Sequence, residues 1–536
     1  MNNEAIDVKG LLERMAGMDD GQRRMFFENK ILPALKFISP LERDQVAAKA
    51  HELLKPLGIM MSTIKKMVND ELKPPTKNKK PTPSSGVKIR HYNRSDVGNA
   101  RRFVDTYGDL FRYCHKLKAW FNFDGRRWLA DNCGLAQKSI HAMAMTMQGE
   151  AGNIPDPDER VQAFKWAVGL ESVNRIENCL KAAQSYLPIE PTDFDRDPWL
   201  LNCENGTVDL RTGELRAHDR ENRISKLCPV EYDPGAKAPL WDAFLQRIFD
   251  EDQDLINYVQ KMAGYSLTGV QREKEFYLCW GTGDNGKSKF VETIQGMLGD
   301  YASTMSPETL TVTRDEGGAS PELARLVGVR FVSSQETERG RTLREGFIKA
   351  ITGGDTVTAR FLYGQPFDFR PVFKLWFSTN FKPEIKAGGE AMWRRVKLIP
   401  FNVTIPLEEQ DKELFEKLKA EWPGILAWAV QGCLEWQREG HIEMPGAMKQ
   451  AVDVYKAEMD TFEQFIEACC EIKPVAQVAN KRLRAVYEKW CQTNGERPLR
   501  QNEFSGRLVE RGLQNSRAST SGGLIWYGLG VIDEVN

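Results

Sequence analysis

In residues 1–72 apolar positions recur every three or four residues: Leu11, Leu12 and Met15, then Phe26, Phe27, Ile31 and Leu32, then Val46, Ala50, Leu53 and Leu54. That period predicts helices with one apolar face, enough for a small bundle. From 91 to 268 the pattern is mixed. Helical spacing covers Gly98–Leu117 and Val161–Tyr186, strand-like pieces fall at Ala119–Phe123, Arg127–Leu129 and Gly206–Leu210, and Trp241–Leu267 is helical again. Between 269 and 406 the apolar residues gather in short runs, Phe276–Trp280, Val329–Ser334, Phe373–Ser378 and Val396–Phe401, each predicted as a strand. Phe290, Ile294 and Met297 predict a helix after the first run. Thr356–Leu362 alternates at period 2, Tyr363-Gly364-Gln365-Pro366 is a turn and Phe367–Phe369 can pair back, which predicts a hairpin within 356–373. Leu407–Cys470 is helical, with Trp422, Trp428 and Trp436 as packing residues of a lid or subunit contact. Near the end, Leu483, Val486, Tyr487 and Trp490 share one helix face, a short helix over Asn502–Arg511 turns Phe504 and Leu508 inward, and Ser516–Val531 reads as a hairpin turning at Ser521-Gly522-Gly523.

Chemistry enters between the first strand run and its helix. Gly281-Thr282-Gly283-Asp284-Asn285-Gly286-Lys287-Ser288 follows a strand and opens a helix, the context in which Gly-x-x-x-x-Gly-Lys-Ser is a phosphate-binding loop. Glycines let backbone N–H groups close on phosphate, and the helix N-terminus adds about half a positive charge. Lys287 can reach the β- and γ-phosphates of ATP, and the Ser288 hydroxyl can hold the bridging Mg²⁺. Glu336 ends the second strand, where a carboxylate either holds Mg²⁺ through water or polarises the attacking water. Asn380, after the third strand, could orient that water. Arg394 and Arg395, before the fourth, either reach a neighbour's γ-phosphate, a contribution of about 10³–10⁵ in rate, or form a solvated basic face.

These strings, together with Leu326–Thr337, Ile351–Arg360, Phe373–Asn380 and Trp393–Phe401, resemble the superfamily 3 helicases. Within them the chain is similar to the helicase half of phage and plasmid primase–helicases, related to the poxvirus replication ATPase; Asp96–Phe103 and Asn205–Leu210 look like that family's leader domain. The resemblance covers most of residues 91–532. It implies a multidomain α/β protein with a P-loop AAA+-type superfamily 3 core. The segments are then a helical N-terminal part (1–72), a flexible basic linker (73–90), an α+β leader domain (91–240), a helical collar (241–268), the ATPase core (269–406), a helical lid or connector (407–472) and a winged helix (473–536). It further implies a hexameric ring that hydrolyses ATP with Mg²⁺ between subunits. The ring would pull single-stranded DNA through its channel with 3'–5' polarity and open forked DNA during replication of a phage, plasmid or other mobile element in a bacterial host's cytoplasm. A DNA-gripping hairpin belongs at 356–373, with Arg360, Arg370 and Lys374 as cations and Tyr363 and Gln365 at its tip, although the Lys-His tip of the papillomavirus helicase is not present. Lys349 is a further candidate phosphate contact.

Composition narrows the partners. The 536 residues are 41% hydrophobic and 28% charged with net charge −1, so contact with nucleic acid must come from local patches. The 10 cysteines are scattered without a Cys-x-x-Cys pair and the 6 histidines form no cluster, which argues against zinc and for reduced core thiols. No apolar run approaches ~18 residues, and the N-terminus lacks a signal-peptide pattern, so neither a membrane nor export is expected. A priming polymerase needs clustered acids for metal ions; residues 1–72 are too few for one, so a primase half is expected to be absent, with priming left to a separate primase or polymerase. Helix, turn, basic helix and hairpin at the C-terminus form a winged-helix pattern. Arg500, Arg507, Arg511 and Arg517 are its expected contacts with DNA, an origin duplex among the choices, unless the module docks protein. Against the motor stands a second reading, a nucleotide-switched origin-binding initiator or loader with little unwinding of its own.

Overall fold

In the computed structural model the chain forms two compact units, Met1–His91 and Tyr92–Asn536. The described residues are 8–18, 23, 26–27, 31, 40–55, 64 and 68 of the first, and 92–312, 321–336, 340–360, 364–385, 390–517 and 523–532 of the second. The predicted linker at 73–90 lies outside the described residues, as does Tyr363. In the first unit helices α1 (Val8–Ala16) and α2 (Pro40–Leu54) contribute Leu12, Met15, Val46, Ala50 and Leu54 to a buried cluster completed by Phe27, Ile31, Ile64 and Val68.

The second unit begins with helix α3 (Asp96–Tyr107), capped by Ser95, whose Oγ accepts the Gly98 N–H. The predicted helix 98–117 stops there. Residues after Gly108 pair instead as an antiparallel sheet of β1 (Phe111–Cys114), β2 (Ala119–Phe123) and β3 (Trp128–Ala130), because Phe111 is drawn against Phe103 and Trp120 in the core. Helices α4 (Leu135–Gly152), α5 (Pro157–Gly169) and α6 (Val173–Ala183) follow; the predicted helix 161–186 is broken where Leu170 turns fully inward. A second antiparallel sheet, β4 (Leu200–Cys203), β5 (Gly206–Asp209) and β6 (Glu214–Arg216), leads to helices α7 (Pro239–Ile248) and α8 (Gln253–Ser266). Trp128 is buried and its Nε1 donates to the Arg220 carbonyl, while Trp199 stacks on Trp436 with centroids 6.1 Å apart. Trp128 is a core residue, and Trp199 is half-buried against the core.

The centre of the unit is a five-stranded sheet with order β13-β7-β12-β9-β8, every neighbouring pair parallel. Its strands are β7 (Phe276–Trp280), β8 (Ala302–Thr304), β9 (Phe331–Glu336), β12 (Lys374–Thr379) and β13 (Val396–Pro400). Alternate residues feed opposite cores: Tyr277, Cys279 and Trp376 join one, and Phe276, Leu278, Leu375 and Phe377 join the other. A strand covered on both faces has no polar side, which is why these runs lack a period-2 polar pattern. Between the strands lie α9 (Lys287–Leu298), α10 (Pro307–Leu310), α11 (Pro321–Ala324), α12 (Glu345–Gly353), the hairpin β10 (Val357–Arg360) with β11 (Pro366–Phe369), and α13 (Glu390–Trp393).

The C-terminus of α8 docks on the starts of β9 and β12. The buried Arg330 donates to the Leu267 and Leu200 carbonyls at 2.7 and 2.8 Å, the buried Lys374 ammonium to the Thr268 carbonyl at 2.6 Å, and Trp376 Nε1 to Ser266 Oγ at 3.1 Å. Cations suit the carbonyl end of a helix, where free C=O groups carry partial negative charge. Beyond the sheet come α14 (Leu414–Ala420), α15 (Trp422–Glu439) and α16 (Gly446–Met459); Trp436 is fully buried among them. The chain then runs through α17 (Thr461–Cys469), β14 (Cys470–Ala479), α18 (Asn480–Thr493), α19 (Gln501–Glu510), β15 (Gln514–Arg517) and β16 (Leu524–Val531). Its antiparallel sheet has order β14-β16-β15 and packs on Phe462, Phe465, Tyr487, Phe504 and Leu508.

Candidate active site at the carboxyl edge of the sheet

The loop from Gly281 to Gly286 joins β7 to α9 at the edge where the parallel strands end. Its shape is imposed by sterics. A Cβ on Gly281 would come within 2.4 Å of the Phe401 carbonyl oxygen, and one on Gly286, at φ +78°, within 2.5 Å of Ile248 Cγ2. Asn285 is buried and its Nδ2 donates to the Phe401 carbonyl at 3.1 Å, while the Ile405 N–H donates to the Asp284 carbonyl at 2.7 Å. These bonds pin the loop to the chain that leaves β13. Thr282, Asp284 and Ser288 are exposed and Gly283 is half-buried.

Lys287 opens α9 with only 5% of its surface exposed. Its ammonium donates to the Gly281 carbonyl at 3.1 Å, the Thr379 carbonyl at 3.0 Å and Asn380 Oδ1 at 2.7 Å. Burial lowers its pKa below the usual lysine value. The register explains the meeting. Thr379 lies opposite both Trp280 of β7 and Glu336 of β9, so the residues that end three neighbouring strands stand level. Adjacent strands are about 4.8 Å apart, which sets Glu336 about 10 Å from the loop strand, on the far side of β12. The structure thus brings Lys287 and Asn380 into contact and sets Glu336 on the same edge. Among the described residues no group of three or more His, Cys, Asp or Glu side chains could hold a metal ion. The exposed Ser288 hydroxyl, one residue past Lys287 at a helix start, fits a Mg²⁺ that arrives with nucleotide phosphates.

The arginine pair lies at the other end of the sheet. Arg395 immediately precedes β13, and the Phe276 N–H donates to its carbonyl at 2.9 Å, so both arginines sit a strand's length, about 15 Å, from the loop of their own chain. The two differ. The Arg395 guanidinium donates to the Ala391 carbonyl at 2.6 Å and to Thr352 Oγ1 at 3.2 Å, tying α12 to α13, whereas Arg394 is exposed.

The expected DNA contacts divide in the same way. The hairpin at 356–373 forms, with Arg360 opposite Pro366, and Arg360, Gln365 and Arg370 are exposed. Lys374 is not available: it is 2% exposed, bonded to backbone carbonyls and stacked 4.2 Å from the Tyr265 ring, with its pKa driven well below the lysine value by burial. Lys349 is half-buried and pairs with Glu345 at 3.3 Å. Near the C-terminus Arg500 and Arg517 are exposed. Arg507 is held by both Asp460 oxygens, at 2.5 and 2.6 Å, and Arg511 pairs with Glu463, so both guanidinium groups face acids at the start of α17. Sequence reasoning missed Arg330 and the Asn285–Phe401 clamp. The signal for the first was present, a lone cation at the start of a buried strand run.

Comparison with known proteins bears on the same regions. Residues 100–250 match the family described as D5 N terminal like, and residues 279–395, which span the loop and both strand-end residues, match a family of unknown function (DUF5906). The resemblance to the helicase half of the phage and plasmid primase–helicases holds. A protein of Acanthamoeba polyphaga mimivirus described as "Putative helicase L207/L206" is 27% identical over 68% of this chain and 42% of its own length. One of Frog virus 3 (isolate Goorha), "Putative helicase 022R", is 24% identical over 75% of this chain and 54% of its own. The chain therefore spans about half the length of these relatives. The apo structure of the NrS-1 C terminal region (305-718) aligns with 81% of this chain and 99% of its own at TM-score 0.45 and 11% identity, too slight a likeness to carry an argument. Among the described residues no helix is long and apolar enough to cross a membrane.

Proposed function

We propose that this chain is an ATP-driven DNA helicase of superfamily 3 type, working as a ring of identical copies during replication of a mobile element. One observation carries the reading. Lys287, Asn380 and Glu336 share the carboxyl edge of a parallel sheet, while the exposed Arg394 stands at the opposite edge and cannot reach that site within its own chain. A site completed by Arg394 needs a second copy.

In this reading the loop N–H groups and the start of α9 receive the phosphates. The Lys287 ammonium exchanges its carbonyl partners for β- and γ-oxygens, which frees the Asn380 amide to face the γ-phosphate. Glu336 takes up a proton from the attacking water, and Arg394 of the next copy offsets charge on the transferred group. Mg²⁺, held by Ser288, would neutralise phosphate charge. The hairpin cations Arg360 and Arg370 would follow the backbone of single-stranded DNA. Hexamer formation, 3'–5' polarity and help from a separate primase or polymerase are carried by the resemblance.

The decisive experiment is unwinding of a forked duplex with ATP, using Lys287→Ala, Arg394→Ala and their mixture. Each variant alone should lose hydrolysis by at least about 10³-fold. The mixture should regain part of it, because some junctions then pair an intact loop with an intact arginine. No recovery in the mixture would remove the shared site. The initiator reading rests on the C-terminal module, and it gains only if the wild type binds duplex and hydrolyses ATP without separating strands.

A further inference from the structure

With Arg507 and Arg511 turned to acids of α17, a different side of α19 is left outward. At 100° per residue Gln501, Ser505, Val509, Asn502 and Gly506 fall within an arc of about 140°. All but Ser505, which is half-buried, are exposed, and Val509 is 55% exposed. Phe504 and Leu508 lie on the buried side. No charged side chain falls on the outward arc; Glu503 and Glu510 bound it on one flank, and Glu503 is engaged as the helix cap, accepting the Arg500 N–H at 3.1 Å. Gln501 Nε2 donates weakly to Ser505 Oγ at 3.3 Å, and the Asn502 amide is exposed. Nothing lies within 4 Å of where a Gly506 Cβ would stand, so a ligand can approach the backbone there. Exposed cations stand beside the arc: Arg497 and Arg500 just before α19, and Arg517 at the end of β15, make no ion pair among the described residues.

An uncharged arc of amides, a hydroxyl and a branched methyl group, with guanidinium groups beside it, matches one ligand chemistry. Asn and Gln amides bond in pairs to adenine N6 and N7 in the major groove, apolar groups meet the thymine methyl, and guanine would call for the arginines that α19 has committed elsewhere. Phosphate contacts give affinity without sequence information, the part left to the flanking arginines. We infer that α19 reads duplex DNA at A·T pairs through Gln501, Asn502, Ser505 and Val509, with Arg497, Arg500 and Arg517 on phosphates. The inference rests on reading residues 473–536 as a winged helix that binds DNA.

The test is competition binding of the full chain to A·T-rich and G·C-rich duplexes at fixed salt, beside ATP hydrolysis stimulated by single-stranded DNA. Wild type should favour the A·T-rich duplex by about tenfold or more, and the Gln501→Ala/Asn502→Ala variant should lose most of that preference with stimulated hydrolysis unchanged. Arg500→Ala should weaken both duplexes alike and reduce the salt slope by about 1. Equal binding of both duplexes by wild type, or a preference that survives the double variant, overturns the inference. Absence of duplex binding with hydrolysis intact also overturns it, makes the module a protein-docking one and leaves the motor standing. Loss of hydrolysis in the wild type would instead strike the motor.

Discussion

The two arginines at 394 and 395 are adjacent in sequence and different in use. Arg395 gives its guanidinium to Ala391 and Thr352, so Arg395→Ala should lower stability and disturb α12, whereas Arg394→Ala should leave the melting temperature nearly unchanged and remove hydrolysis. Thermal denaturation beside an ATPase assay separates them; equal melting with loss of activity in both would assign Arg395 to the site as well. Next to them sits a group that titrates near neutrality. Burial raises the Glu275 carboxyl from 4.5 to about 7, against the pull of Lys397 at 3.5 Å and the Tyr277 hydroxyl at 2.8 Å. The unfolded chain releases this proton near pH 4.5 and the folded chain near 7, so the folded state holds more protons between those values. Stability from this residue is therefore present at low pH and falls as pH rises through that window. Glu275→Gln should flatten the urea midpoint against pH between about 5 and 7; an unchanged slope would place the titration elsewhere.

At the scale of elements, the strands that deliver Glu336 and Asn380 are anchored at their far ends. Arg330 precedes β9 and Lys374 starts β12, and both bond to carbonyls where α8 ends. The carboxyl edge is thus set by strands held on a helix of the preceding segment. Arg330→Met would leave the Leu267 and Leu200 carbonyls buried without their donor, so it should cost about 3 kcal/mol in chemical denaturation. A loss under about 1 kcal/mol would mean that water or a neighbouring donor replaces the guanidinium. The same element logic explains the lost DNA contact at Lys374: the first position of a central parallel strand is interior, whatever charge it carries.

For the molecule as a whole, the sheet has Lys287, Asn380 and Glu336 at one end and the exposed Arg394 at the other, the polarity that the proposed head-to-tail ring requires. The mixed-variant assay above tests that arrangement directly, because cis completion is barred by the length of β13. The chain spans about half the length of the relatives it matches, and both family matches, residues 100–250 and 279–395, fall within the second unit.

Local rules were enough for the Gly281–Ser288 loop between its strand and helix, for the strand runs of the sheet, for the 356–373 hairpin and for the small C-terminal helices. In each the signal is carried by neighbours in sequence: glycine sterics, short runs rich in apolar residues, period-2 alternation. Three outcomes depended on residues far apart. The register that levels Trp280, Glu336 and Thr379 comes from strand pairing, the end of α3 at Tyr107 comes from Phe111 entering a core built by Phe103 and Trp120, and the fate of each cation comes from what packs against it. Sequence shows Lys374, Arg507 and Arg511 as charges available for DNA, but only folding brings Thr268, Asp460 and Glu463 to them, and a charge bonded in the interior or paired with an acid has little left for a phosphate.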